Sequence, residues 1–164
     1  TPRKNLDTVL HSLVQVPQLH LGVVGGTAGS PYPELARSLK LEDRVHFLGF
    51  RQDVPDLMKS ADFLVFPSRY EPFGLVVLEA MATGIPVITA ATTGAAELVT
   101  PDCGIVLPDS DDTQALAEAL NQLVKCDRQQ RQQMGQVART IAEQHSWANM
   151  ASNYVNLFEE LQPC

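Results

Sequence analysis

Phe63-Leu64-Val65-Phe66-Pro67-Ser68-Arg69-Tyr70-Glu71-Pro72-Phe73-Gly74-Leu75-Val76-Val77-Leu78-Glu79-Ala80-Met81-Ala82 is the stretch on which the fold turns. Phe63 to Phe66 is an apolar run of strand length, and the polar residues from Ser68 to Glu71 break it. Gly74 to Thr83 then has the length of a helix, so the order is strand, loop, helix. Pro72 suits a first helical turn, where its missing N–H costs nothing, and Gly74 leaves the free amides of Gly74 and Leu75 open to an anion. Those amides and the helix dipole together favour a phosphate there.

Working outward, apolar runs of strand length recur at Leu19 to Val24, Val45 to Leu48, Pro86 to Ala90 and Ile105 to Leu107. Their content of Val and Ile predicts buried strands. Helical segments separate them: Leu6 to Val14, Pro33 to Leu39, Val54 to Ser60, Gly74 to Thr83 and Ala95 to Val99. The alternation predicts an α/β domain, a Rossmann-like doubly wound parallel sheet with helices on both faces. After the last strand only helices follow: Asp111 to Lys125, about Asp127 to Gln144, and Trp147 to Leu161 behind Ser146 as N-cap. The final helix carries Met150, Tyr154, Leu157, Phe158 and Leu161 on one side.

A chain of 164 residues with 45% apolar and 19% charged content suits a single domain around one core. A formal charge of -7 and a pI near 4.9 argue against nucleic acid or an anionic membrane as the main partner. Any phosphate must therefore be met locally. Cys103, Cys126 and Cys164 are scattered and odd in number, which fits a reducing, cytoplasmic setting. No apolar run approaches the roughly 20 residues that span a bilayer. The start, Thr1-Pro2-Arg3-Lys4, has neither a signal peptide nor an initiator Met and reads as that of an excised fragment.

Gly22, Gly25, Gly26 and Gly29 follow or end the first strand without matching the dinucleotide or Lys-containing phosphate-loop fingerprints. A tight strand-to-helix turn accounts for them, with Gly25 and Gly26 as second-rank ligand contacts. Glu79 lies five residues beyond Gly74, about 7.5 Å along a helix, which is the separation of a nucleotide's phosphates from its ribose. As the one charged residue in an apolar run it is expected to be partly buried and to need a partner; spacing leaves ribose hydroxyls and a salt bridge equally open. Glu71, before the helix, is placed either to accept hydrogen bonds from a sugar or simply to complement the helix dipole. Arg51, after the second strand, is open between a base or phosphate contact and a loop ion pair with Asp53. His11, His20, His46 and His145 are far apart and show no ligand spacing, so no metal is expected.

At Glu71 and Glu79, two glutamates separated by seven residues, the sequence resembles the large retaining glycosyltransferase family of sucrose synthases, bacterial glycogen synthases, mannosyltransferases and lipopolysaccharide glucosyltransferases. The likeness continues through Arg3-Lys4-Asn5-Leu6, Val45-His46-Phe47-Leu48-Gly49, Ala61-Asp62, Gly84-Ile85-Pro86-Val87-Ile88, Gly94-Ala95-Ala96-Glu97, Gly104-Ile105-Val106 and His145-Ser146-Trp147. Thr92-Thr93-Gly94 departs from the family's more usual double glycine.

The resemblance implies the C-terminal donor-binding domain of a two-lobed (GT-B) enzyme, spanning residues 1–164. It also implies that an N-terminal acceptor domain, and the first strand of this domain, lie outside the chain. It casts Lys4 as the cation that neutralises the donor diphosphate and Glu71 as the carboxylate near the transferred sugar. Glu79 becomes the ribose-binding carboxylate, Gly74 and Leu75 phosphate-binding amides, and Arg51 lies where family members bind the base. The family's partner arginine falls before or at the start of the chain, and Arg3, Gly25 and Gly26 stand as further donor-contact candidates. The implied reaction moves a hexosyl unit from a nucleotide diphosphate sugar, by family frequency a UDP-sugar, to an acceptor hydroxyl with retained configuration. No cofactor is expected, and the isolated fragment is expected to be inactive or nearly so. Alternatives are a sugar-nucleotide epimerase or phosphorylase of the same architecture, and a non-catalytic nucleotide-binding module.

Overall fold

The computed structural model describes residues 2–26 and 29–161, so Cys164 lies outside the described residues. Strands β1 (Leu21–Val24), β2 (Val45–Gly49), β3 (Leu64–Phe66), β4 (Val87–Ala90) and β5 (Gly104–Leu107) are all parallel. Helices α1 (Leu6–Leu13), α2 (Tyr32–Ser38), α3 (Val54–Ser60) and α4 (Leu75–Thr83) provide the crossovers, and α5 (Thr113–Lys125), α6 (Arg128–Gln144) and α7 (Trp147–Glu160) follow β5. The α/β class, the parallel pairing and the C-terminal helices are thus as the sequence predicts. The helix expected over Ala95 to Val99 is instead a 3-10 segment, Gly94–Leu98, and a further 3-10 turn, Pro2–Lys4, was not foreseen.

The sheet is divided. β1 pairs with β2, and β3, β4 and β5 form a second sheet in that order. β4 is buried throughout, and its pleat sends alternate side chains to opposite faces. Ile88 and Ala90 meet Val9 of α1 and Leu116, Leu120 and Leu123 of α5, whereas Val87 meets Met58 of α3, Val77, Ala80 and Met81 of α4 and Ala138 of α6. This sheet is covered on both faces, which is why its central strand is a continuous apolar run.

Among the described residues the β1–β2 pair is covered on one face only, a correction to the expectation of buried strands. Val45 with Leu21, Val23 and Phe47 packs on Leu10 and Leu13 of α1 and Tyr32 and Ala36 of α2, both helices lying on the same side. The opposite face, with Gly22, Val24, His46 and Leu48, is exposed. α1 serves both sheets, because Leu6 packs against each of the two clusters.

α4 and α6 cross in close contact. A Cβ on Gly135 would lie 1.9 Å from the carbonyl oxygen of Gly84, so only glycine permits that approach. α7 behaves differently: Ser146 caps it as expected, yet all of its residues are exposed, including Trp147, Tyr154 and Phe158.

Candidate functional site

The carboxyl ends of the strands gather residues from three distant parts of the chain. Pro2–Lys4 forms a single 3-10 turn, and Asn5 then takes a left-handed conformation (φ 59°) that lets α1 start at Leu6. Asn5 is fully buried. Its Nδ2 donates to the Ser110 carbonyl at 2.6 Å, and its Oδ1 accepts from Thr8 Oγ1 at 2.6 Å, which offsets the cost of the unusual backbone. The Arg3 carbonyl accepts from both Ser68 Oγ and the Arg69 amide, each at 2.9 Å.

Held this way, Lys4 Nζ donates to Glu71 Oε2 and lies 4.7 Å from the centre of the Phe66 ring. Arg3 reaches the same oxygen at 3.9 Å. Glu71 comes from the loop after β3, which is fastened to the loop after β4. The Glu71 amide donates to the Thr92 carbonyl, the Gly94 amide to the Glu71 carbonyl at 3.0 Å, and the Ala95 amide to the Phe73 carbonyl at 2.6 Å. Gly94 is required by contact, since a Cβ there would lie 2.2 Å from the Pro72 carbonyl oxygen.

Gly74 is required for a reason other than the one its sequence suggests. Its φ is +90°, and a Cβ would stand 2.7 Å from Thr93 Cγ2 and 3.3 Å from Glu71 Cγ. It turns the chain into α4 rather than merely clearing space for a ligand. Pro72 lies before the helix, not in its first turn, because the left-handed N-cap at Gly74 delays the start to Leu75. No side chain caps α4, and the Leu75 and Val76 amides make no hydrogen bond among the described residues. Lys4, Glu71, Pro72, Phe73, Gly74, Leu75 and Val76 line an open cavity of about 420 Å³ around those amides. A larger depression of about 550 Å³ lies on α5, lined by Glu118, Asn121, Gln122 and Lys125, and lacks comparable free amides.

Of the residues singled out in the sequence, Lys4, Arg3, Glu71, Gly74 and Leu75 are brought together. Glu79 is exposed and has no hydrogen bond or ion pair among the described residues. That corrects the expectation that it would be partly buried with a partner, since α4 turns its apolar residues Val77, Ala80 and Met81 inward and leaves Glu79 outside. Gly25, Gly26 and Arg51 form a separate group. Gly25 (φ +121°) donates its amide to the Gly49 carbonyl at 2.8 Å, and Gly26 sits against the Phe50 ring, where a Cβ would come within 2.8 Å. Arg51 makes a two-point pair with Asp53 at 2.6 and 2.8 Å, the ion-pair alternative. That pair holds the Asp53 carboxyl below its usual range and raises the guanidinium.

His20 and His46, distant in sequence, stack across β1 and β2 with ring nitrogens 3.4 Å apart. Pairing puts His46 opposite Gly22, two residues beyond His20 on the same face. No third His, Cys, Asp or Glu joins them among the described residues. Asn5, Ser68 and Arg69 shape the site without having been recognised in sequence. Arg69 Nη2 and Nε bind Asp7 and Asp111 at 2.8 and 2.7 Å, and its Nη1 donates to the Pro2 carbonyl at 2.7 Å. The hydrogen bond from Arg69 keeps the Asp7 carboxyl below its ordinary pKa, and the two carboxylates push the Arg69 guanidinium up.

The model of the family described as glycosyl transferases group 1 matches residues 1–141. This chain belongs to the group 1 glycosyltransferases. It is 37% identical to a D-inositol 3-phosphate glycosyltransferase of Corynebacterium urealyticum over 147 residues, 85% of this chain and 34% of the relative. It is 35% identical over 124 residues to the lipopolysaccharide glucosyltransferase WaaG of Escherichia coli, covering 72% of this chain and 33% of WaaG. Among solved structures, Anabaena HepE in complex with UDP superposes with a TM-score of 0.85 at 31% identity, over 98% of this chain and 46% of HepE. Its parallel α/β fold matches one part of these glycosyltransferases, and the chain spans between a third and a half of their length.

Proposed function

We propose that this chain is the donor-nucleotide-binding domain of a retaining glycosyltransferase that transfers a hexosyl unit from a UDP-sugar to an acceptor hydroxyl. The observation that carries the reading is the cluster of Lys4, Glu71 and the free amides at the start of α4 around one cavity. A diphosphate seated on the Gly74 and Leu75 amides, with the Val76 amide beside them, meets N–H groups at the positive end of the helix dipole. Lys4 and Arg3 stand beside one carboxylate, so the cluster keeps a net positive charge within a chain of net charge -7. As the bond from the sugar to the phosphate breaks, negative charge builds on the leaving diphosphate, and Lys4 and the amides are arranged to stabilise it.

Glu71 is the acceptor for hydroxyls of the transferred sugar. Glu79, with no side-chain partner among the described residues, lies along α4 where a ribose would follow the phosphates. UDP is preferred as the nucleotide, a choice supported by HepE, whose structures include complexes with UDP and UDP-glucose. No metal or cofactor takes part in this reading.

An acceptor-binding domain outside this chain completes the enzyme, so the isolated chain binds donor without efficient transfer. The uncovered apolar side of α7 suits burial against that domain. The break between β1 and β3 suits a strand preceding Pro2, because residue 3 is already bonded beside the end of β3. The cytoplasm is the proposed location, where the free thiols Cys103 and Cys126 stay reduced. Calorimetry with UDP, GDP and ADP on the full-length protein tests the reading. Binding of UDP ahead of the other two supports it, and failure of all three at millimolar concentration sinks it.

A further inference from the structure

Arg69 lies outside the residues that line the cavity, yet it is the most heavily committed side chain next to it. Its guanidinium engages Asp7 at the start of α1, Asp111 in the loop before α5, and the Pro2 carbonyl, while its own amide and the neighbouring Ser68 hydroxyl both hold the Arg3 carbonyl. Every one of these bonds except that to Asp111 ends within residues 2–7, the segment that carries Lys4.

Lys4 has four rotatable bonds and is only half-buried, and nothing else in its own turn fixes it, since the 3-10 turn Pro2–Lys4 has no buried residue. Its position is set by the backbone of residues 2–5. That backbone is anchored from below by Asn5 on Ser110 and from the side by Ser68 and Arg69. Arg69 is also two residues from Glu71, so one short loop carries both the anchor of the Lys4 segment and the carboxylate that Lys4 binds. A planar fork bonded at three places resists shear in a way that a single ammonium does not.

We infer that Arg69 is a positioning residue of the donor site that makes no contact with the nucleotide itself and acts chiefly through Lys4, by pinning residues 2–7 against the loop after β3. The inference rests on the donor-binding reading proposed above.

A double-mutant cycle in the full-length protein tests it, with UDP as the probe in calorimetry and melting temperature followed alongside. Arg69→Met is expected to weaken UDP binding about fivefold or more, within the coupling range of residues that share one network. Arg69→Lys should fail to restore affinity, because it keeps the charge and loses the fork. In a Lys4→Met background the same Arg69→Met change is expected to alter UDP affinity by less than about twofold.

Equal losses in both backgrounds overturn the inference, since Arg69 would then reach the nucleotide by another route; so does an Arg69→Met protein that binds UDP normally. If Lys4→Met alone leaves UDP binding intact, the donor reading fails together with the inference. UDP binding that weakens with Lys4→Met but not with Arg69→Met removes the inference alone. Should Arg69→Met fold poorly, Asp7→Asn and Arg69→Lys take its place in the cycle, with the same required non-additivity.

Discussion

Lys4 Nζ and Glu71 Oε2 form an ion pair across 67 residues of sequence, directly beside the uncapped start of α4. Lys4 is about 40% exposed, whereas Glu71 is only 15% exposed. The pair therefore lies at the lip of the cavity, where an incoming anion can share the ammonium without extracting it from the core. Lys4 itself is half-exposed, and Arg3 stays beside the Glu71 carboxylate when Lys4 is removed, so the pair contributes little to stability. Replacement of Lys4 by Met is expected to leave the melting temperature within about 4 °C of the parent. UDP affinity should fall about 10- to 100-fold, the loss typical of a hydrogen bond to a charged group, measured by calorimetry.

In the proposed donor site, Glu79 would mark the ribose end and the start of α4 the phosphate end. Because it has no partner among the described residues and is exposed, Glu79→Gln should not change the urea midpoint. Binding of UDP should weaken about tenfold while binding of inorganic pyrophosphate, which has no ribose, stays unchanged. Equal weakening of both ligands would remove Glu79 from the ribose role.

Gly74 combines a left-handed backbone with close contact to Thr93 and Glu71. Gly74→Ala should lose at least about 2 kcal/mol in denaturant unfolding, from the backbone penalty and from displacement of Thr93. Pairing it with Thr93→Ser, which removes the methyl nearest the new Cβ, should recover only part of that loss, since the φ of +90° remains.

Gly135 offers the opposite lesson from helix propensity. In mid-helix, alanine normally gains about 1 kcal/mol over glycine. Here the new Cβ would fall 1.9 Å from the Gly84 carbonyl oxygen, forcing α6 away from α4. Gly135→Ala is expected to destabilise by about 1–3 kcal/mol in urea melts, with the sign set by packing.

Asp7 makes acid stability depend on Arg69. Its carboxyl is held below the ordinary value of 3.8, first by the hydrogen bond from Arg69. A depressed folded-state pKa contributes stability that is present above the unfolded value and is lost as pH falls through the folded one. Asp7→Asn should therefore be less stable than the parent at neutral pH. The difference should shrink below about pH 4 and vanish in strong acid, as read from urea midpoints across pH.

The fold class was legible because alternating strand-length and helix-length apolar segments admit few arrangements other than a parallel, helix-covered sheet. The position of Glu71 and Gly74 beside a helix start followed in the same way, since residues adjacent in sequence stay adjacent in space. The exposure of Glu79 was not legible. An isolated charge in an apolar run reads as buried until the helix's inward face is known, and here Val77, Ala80 and Met81 occupy that face. Arg51 could not be resolved for a similar reason: a loop arginine pairs with whichever acceptor the loop brings near, and that proved to be Asp53.

The sequence by itself thus determined the order of the strands and of most helices, the family, and the placement of Glu71 and Gly74 beside a helix start. Only the tertiary structure decided that Lys4 meets Glu71, that Arg69 ties α1 to the loop before α5, and that His20 stacks on His46. Those relationships join residues 26 to 67 positions apart. They are set by how parallel strands bring their ends to one edge, a property of the packed chain that no short segment carries.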